Sequence, residues 1–214
     1  MGKTLHQKSS SPLSHGVKLR IRNQKVENGV APLVTTYLEM QSPQQLRPKR
    51  VDPRLQVREQ TERNWRFNRD LYFRVGEQWD WIDKRSWTDE QWKHYAAAPE
   101  LRTFAGYYED ALAGYYELRR DTEGGVEIAY FGLLPDFIGR GLGGALLTSA
   151  IEKAWSRRGG IAAKRVWVHT CNRDHPQALA NYQARGMIIY KLEEKQEVGP
   201  PSREATARQG GDNC

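Results

Sequence analysis

Gly139, Gly141, Gly143 and Gly144 fall within six residues of one another, in the stretch Phe131-Gly132-Leu133-Leu134-Pro135-Asp136-Phe137-Ile138-Gly139-Arg140-Gly141-Leu142-Gly143-Gly144-Ala145-Leu146-Leu147. An apolar run ends at a proline, the glycines follow, and an amphipathic helical pattern begins directly after them. Glycine lets the backbone approach a ligand closely. The unpaired N–H groups and the dipole of a helix start favour an anion. The chemistry that suits these residue types in this order is the holding of a pyrophosphate. Four glycines in six residues is more than a turn alone needs.

Two owners of such a site are excluded by spacing. Gly139, Gly141 and Gly144 satisfy Gly-x-Gly-x-x-Gly, but a dinucleotide fingerprint follows its strand directly and has an acid about twenty residues on. Here Pro135 to Ile138 intervene, and the next strand pattern ends Val168-His169-Thr170 without an acid. A nucleotide P-loop is excluded because no Gly-Lys-Ser/Thr closes the stretch. Cys171 has no base at a spacing that would make it a nucleophile and reads as a small buried apolar residue. His169, Cys171, Asp174 and His175 lack a second ligand pair at finger-like spacing, so no metal is expected.

The elements that position these residues follow from local patterning. Leu33 to Met40 is β-branched and apolar, a first strand. Residues 41–58 carry Pro43, Pro48 and Pro53 and read as a connection. From Thr61 the pattern is helical, with Trp65, Tyr72, Val75 and Trp79 on one face. Thr88-Asp89-Glu90-Gln91 fits a capping box for a second helix to about Ala97. Arg102–Tyr108, Leu112–Leu118 and Val126–Phe131 read as three strands in succession, the first two a hairpin. A helix follows the glycines and is expected to end at Gly159-Gly160. Arg165–His169 is a strand, a helix runs from about Pro176 to Gly186, and Met187–Leu192 is a last strand. Residues 1–31 and 194–214 are polar and read as a disordered basic leader and a disordered tail.

Composition narrows the classes. Charged residues are 28% and hydrophobic ones 38% of 214, enough for one domain with tails. No apolar run approaches the length of a membrane span, and the opening has no apolar signal-peptide core. Two cysteines, Cys171 and Cys214, make no disulfide framework, so a reducing, cytoplasmic setting is expected. The first sixty residues hold eleven Lys and Arg against four Asp and Glu, so the whole formal excess of +7 lies there. That pattern describes a basic arm rather than a basic catalytic body. The body has no aromatic–basic stripe of the kind a nucleic-acid platform needs.

The segment Leu133–Leu147 resembles the acyl-CoA pyrophosphate loop of the GNAT superfamily of N-acetyltransferases, whose pattern is Gln/Arg-x-x-Gly-x-Gly/Ala after an apolar strand and a proline. Gly141, Gly143 and Pro135 match; Ile138 departs from the Gln or Arg. A second segment is similar to that family's Asn-x-x-Ala-x-x-x-Tyr-x-x-x-Gly-Phe: Ala178, Tyr182, Gly186 and Met187 fall in that spacing, with His175 in place of the Asn. The resemblance covers about Leu33 to Leu192. It implies an α/β (α+β) fold with a mixed, mostly antiparallel sheet of about six strands flanked by about four helices, as a domain over 32–193.

The resemblance also implies acetyl-CoA as co-substrate and a primary amine, on a small molecule or a protein, as acceptor. Backbone groups near Phe131, Leu133 and Leu134 would then bond the pantetheine arm. The N–H groups of Gly139, Arg140, Gly141, Leu142, Gly143 and Gly144 would hold the pyrophosphate, with His175 capping a helix near the cofactor. Tyr182 matches the family's proton donor to the CoA sulfur. Glu127, on the strand leading to the loop, is the candidate general base, directly or through water; His169 and His175 are alternatives. Trp79, Trp81, Trp87 and Tyr107 supply rings for an acceptor pocket suited to a cationic or aromatic amine, or else they are core. A homodimer is allowed. A CoA-binding module without catalysis, and a nucleic-acid-associated protein acting through the basic arm, are the alternatives.

Overall fold

A computed structural model describes residues 31–50 and 52–196. The expected leader and tail lie outside these residues, apart from Ala31 and from Glu194–Gln196, of which the first two continue the last strand. Cys214 lies outside them as well.

The described residues form a seven-stranded sheet with four α-helices. In chain order they are β1 (Leu33–Met40), β2 (Leu55–Gln60), α1 (Trp65–Gly76), α2 (Asp89–Ala97), β3 (Leu101–Tyr108), β4 (Ala111–Arg120), β5 (Gly125–Leu133), α3 (Gly143–Trp155), β6 (Arg165–Cys171), α4 (Ala178–Ala184) and β7 (Ile188–Lys195). The spatial order is β2-β3-β4-β5-β6-β1-β7. All neighbours are antiparallel except β5 and β6.

Several expectations need correction. The sheet has seven strands rather than six, because part of the proline-bearing stretch 41–58 is β2, which starts two residues after Pro53. Its Leu55 is buried while Gln56, Arg58 and Glu59 are not, the short charged pattern of an edge strand. The α3 helix stops at Trp155 with Ser156 as its cap; Gly159 and Gly160 belong to a separate tight turn that joins Arg158 to Ile161. The α4 helix begins at Ala178, two residues after Pro176. The first strand lies between β6 and β7, and its Leu38 and Met40 are wholly buried.

Two helices carry side-chain caps, and α1 ends at Gly76, so Trp79 lies beyond it rather than on its face. Asn64 accepts from Phe67 N–H ahead of α1, and Thr88 with Gln91 makes the capping box of α2. Neighbouring residues of β4 separate the two faces of the sheet: Tyr115 packs with Leu71 and Val75 of α1, and Tyr116 packs with Leu146 and Leu147 of α3. Leu146, Leu147, Ala150 and Ile151 are wholly buried, each large side chain contributing about 1.5–3 kcal/mol by leaving water.

Candidate active site

The parallel pairing of β5 with β6 covers only Gly125–Glu127 against Arg165–Trp167. Beyond it β5 stays on β4 as far as Leu133, while β6 stays on β1 as far as Cys171. The two strands therefore part, and the sheet opens between them. A bulge accompanies the parting: Leu118 pairs with Ile128 and Glu117 with Tyr130, leaving Ala129 as an extra residue. The bulge also sets Glu127 and Tyr130 on the same face, opposite Arg119 and Glu117 of β4.

At the far end of the opening lies the glycine loop. Gly139 and Gly141 have φ of 82° and 78°, a left-handed backbone that side-chain-bearing residues rarely adopt. Among the described residues, no backbone N–H from Gly139 to Gly144 donates a hydrogen bond. Six consecutive donors, ending in the first turn of α3, are thus left for an anion.

Two cations reach this loop that the sequence reading did not identify. Lys49 Nζ donates to the Gly141 carbonyl at 2.7 Å, and its backbone N–H bonds Thr148 Oγ1 at 3.0 Å. A Cβ on Gly144 would meet Arg185 Nη1, and would lie 2.7 Å from Lys49 Cδ. Arg185 Nε is buried with no hydrogen-bond partner among the described residues. The signals present in the sequence were the basic run Arg47-Pro48-Lys49-Arg50 and the arginine directly before Gly186. Neither says that the segment after β1 crosses to α3. Arg140 lies over the Phe137 ring, 5.1 Å from its centroid.

The backbone groups expected on a pantetheine arm divide. Phe131 and Leu133 are on the part of β5 that β6 has left. Leu134 is committed elsewhere: its N–H bonds the Ala113 carbonyl at 2.9 Å, its carbonyl accepts from Phe137, and its side chain is buried.

Tyr182 is 5% exposed and packs on the α3 side, 6.1 Å from the Phe131 ring. Its hydroxyl has no hydrogen-bond partner among the described residues. Burial, and then the charge of Asp174, push its pKa up, so the phenol keeps its proton at neutral pH. Glu127 approaches the opening from the opposite face, 5% exposed. Arg119 Nη2 donates to its Oε2 at 2.8 Å, and His169 Nδ1 lies 3.5 Å from its Oε1. Burial raises the Glu127 pKa, but His169 and Arg119 together outweigh it and hold the carboxyl below its ordinary value. Glu127 is therefore an ion-paired carboxylate at the opening, held by Arg119 and facing His169.

His175 Nδ1 accepts from Gln177 N–H at 3.0 Å just ahead of α4, a helix with no side-chain cap hydrogen bond. His175 also meets the Trp79 ring edge-on at 4.9 Å, while Arg173 lies 3.8 Å from Asp80. The α1–α2 connection thus touches the β6–α4 connection. Trp81 packs against Tyr72, Tyr115 and Tyr130, and Trp87 against Trp92 and Tyr95, so both serve the core of the α1–α2 layer. Tyr107 is not brought to them; it lies under Arg58 at 4.8 Å. Cys171 is half-buried, and burial raises its thiol pKa.

Other charged groups gather nearby. Lys84 is buried, its Nζ 2.8 Å from Asp83 and 4.5–4.9 Å from the rings of Tyr130, Trp87 and Tyr95. Glu117 accepts from Asn68 and Tyr95, and burial raises its pKa. A polar cavity of about 180 Å³, bordered by Glu59, Arg63, Arg102 and Arg158, lies near the start of α1 and includes none of the expected site residues. Among the described residues no three His, Cys, Asp or Glu gather to hold a metal, and no helix is long and apolar enough to cross a membrane.

No curated protein sequence matches the chain. Among solved structures it is similar to a functionally unknown conserved protein from Staphylococcus epidermidis (14% identity, TM-score 0.52, 82% of this chain and 70% of that one). It is also similar to GCN5-related N-acetyltransferases from Sphaerobacter thermophilus (17%, 0.57, 78% and 53%) and Kribbella flavida (14%, 0.54, 76% and 56%). The chain spans little more than half the length of the latter two, and at these identities the likeness is one of fold. Residues 60–187 match the family described as Acetyltransferase (GNAT) family. That match takes in more than half of the chain, the whole of the opening between β5 and β6, and the glycine loop, and the chain belongs to the GNAT acetyltransferase family.

Proposed function

We propose that the protein transfers an acetyl group from acetyl-CoA to a primary amine of a small molecule or protein, by direct attack in a ternary complex. The observation that carries this reading is the opening between β5 and β6, which ends at six undonated N–H groups. Acetyl-CoA supplies the acyl group as a thioester. The free edge of β5 at Phe131 and Leu133 bonds the pantetheine arm in the manner of an added strand. The N–H groups of Gly139 to Gly144 hold the pyrophosphate, with Lys49 and Arg185 supplying the positive charge that Ile138 does not. Tyr182, protonated at neutral pH, gives its proton to the leaving thiolate. The amine loses its proton on the opposite face, at the Glu127–His169 pair. Trp79, against His175, borders the acceptor's side.

The test is release of free thiol from acetyl-CoA in the presence of a panel of aliphatic and aromatic primary amines. CoA binding measured by calorimetry, with no thiol release on any amine, would make the chain a CoA-binding module instead.

A further inference from the structure

We infer that His169, and not Glu127, takes the proton from the acceptor amine, with Glu127 as the residue that positions it and Arg119 as the residue that positions Glu127. This inference rests on the acetyltransferase reading above and assigns its base.

Glu127 and His169 stand on the two strands that part, at the narrow end of the opening. Glu127 is the last β5 residue paired to β6, and His169 follows its partner Trp167 by two, on the same face. The carboxylate is 7% exposed in its side chain and its Oε2 is already taken by Arg119. Its other oxygen faces His169 Nδ1 at 3.5 Å. A carboxylate so paired and buried is a poor acceptor for an amine's proton, because protonating it would leave Arg119 without its counter-charge. The imidazole is the reverse case. Its side chain is 48% exposed, and Nε2 makes no hydrogen bond or ion pair among the described residues. A carboxylate on Nδ1 fixes the ring and the tautomer and leaves Nε2 as the basic nitrogen. The separation is long for a hydrogen bond, as such contacts are before a substrate is bound.

The groups that face His169 come from every neighbouring strand. They are Glu127 of β5, with Arg119 of β4 behind it, and Tyr37 of β1 at 5.7 Å between ring centroids. Glu193 of β7 accepts from Tyr37 Oη at 2.6 Å and is itself 2.5 Å from Lys191. Trp167 on its own strand is 6.4 Å away. Two carboxylates against one nearby guanidinium and one ammonium leave the imidazole facing no excess of positive charge.

The proton balance closes. The free amine forms the C–N bond, and its surplus proton passes to His169 Nε2. The C–S bond breaks with its electron pair on sulfur, and the thiolate takes the Tyr182 proton. Solvent then removes the proton from His169 and restores the one on Tyr182.

The experiment compares wild type, His169→Gln and Glu127→Gln in thiol release from acetyl-CoA with tryptamine, spermidine and Nα-acetyl-lysine across pH, alongside CoA binding by calorimetry. His169→Gln is expected to lower kcat/KM about a hundredfold and abolish the acidic limb of the pH profile, with CoA affinity unchanged. Glu127→Gln is expected to keep the limb, because the group that takes the proton is still present, while lowering kcat with CoA affinity unchanged. A His169→Gln enzyme that keeps its rate and its limb, or a Glu127→Gln enzyme that loses the limb altogether, would overturn the assignment while leaving the acetyltransferase reading intact. A wild-type protein that releases no thiol with any amine would overturn both.

Discussion

Lys49 Nζ lies 2.7 Å from the carbonyl oxygen of Gly141, fastening a cation from the β1–β2 connection to the glycine loop. The contact spans 92 residues of sequence. Part of the basic excess of the first sixty residues is therefore delivered to the catalytic body, not held apart from it.

Replacing Lys49 by Ala should weaken CoA binding about three- to tenfold, the range for one exposed cation opposite phosphate, with kcat at saturation nearly unchanged. Calorimetry with CoA and saturation kinetics separate the two effects. Unchanged affinity would remove Lys49 from the anion site.

Gly144→Ala isolates the same region by crowding. The new Cβ would meet the ends of the Arg185 and Lys49 side chains, both flexible enough to move. The fold should therefore lose little stability, within about 1 kcal/mol, an alanine being the better helix former. CoA affinity should fall because both cations are displaced together. Thermal unfolding and calorimetry on one preparation check both halves.

Gly76→Ala is the contrasting case. There the Cβ would lie 2.5–2.6 Å from the Cβ and ring atoms of Trp81, which is held between Tyr72, Tyr115 and Tyr130. Overpacking of this kind costs about 1–3 kcal/mol, read as a lower midpoint in urea unfolding with the slope unchanged.

Tyr182→Phe should lower turnover more than CoA affinity, since the hydroxyl makes no hydrogen bond among the described residues while the ring packs beside Phe131. Loss of a single proton donor lowers turnover by about a hundredfold or more. Parallel loss of kcat and of CoA binding would instead assign Tyr182 to packing.

Glu127 makes stability depend on acid. Its folded pKa is held below its unfolded value, about 4.3 for a free glutamate, because His169 and Arg119 outweigh burial. The stability that the carboxylate contributes is present above the unfolded pKa and disappears as pH falls through the folded one. Wild type should exceed Glu127→Gln in Tm at pH 6–7, and the two should converge below about pH 4. Curves that stay parallel down to pH 3 would show that the ion pair adds nothing.

Much of this protein is written locally. The Thr88–Gln91 capping box, the strand at Leu33–Met40, the hairpin before the glycines and the helix after them follow from spacing within single elements, because helix and strand periods repeat over a few residues. The glycine loop and the Ala178–Tyr182–Gly186 spacing could be read for the same reason. What the sequence did not carry were relations between distant segments. The insertion of β1 between β6 and β7, the parting of β5 from β6 at Glu127, and the single extra residue at Ala129 depend on which edges pair, and edge pairing leaves no periodic mark. The aromatic residues divided on the same ground: Trp81 and Trp87 are core, Trp79 meets His175, and Tyr107 stands apart. Sequence alone determined the glycine loop at a helix start and the residue types around it. Only the tertiary structure decided that Lys49 and Arg185 attend that loop, and that Glu127 is bound to Arg119 with His169 exposed beside it, because charge partners are chosen by proximity in space and not along the chain.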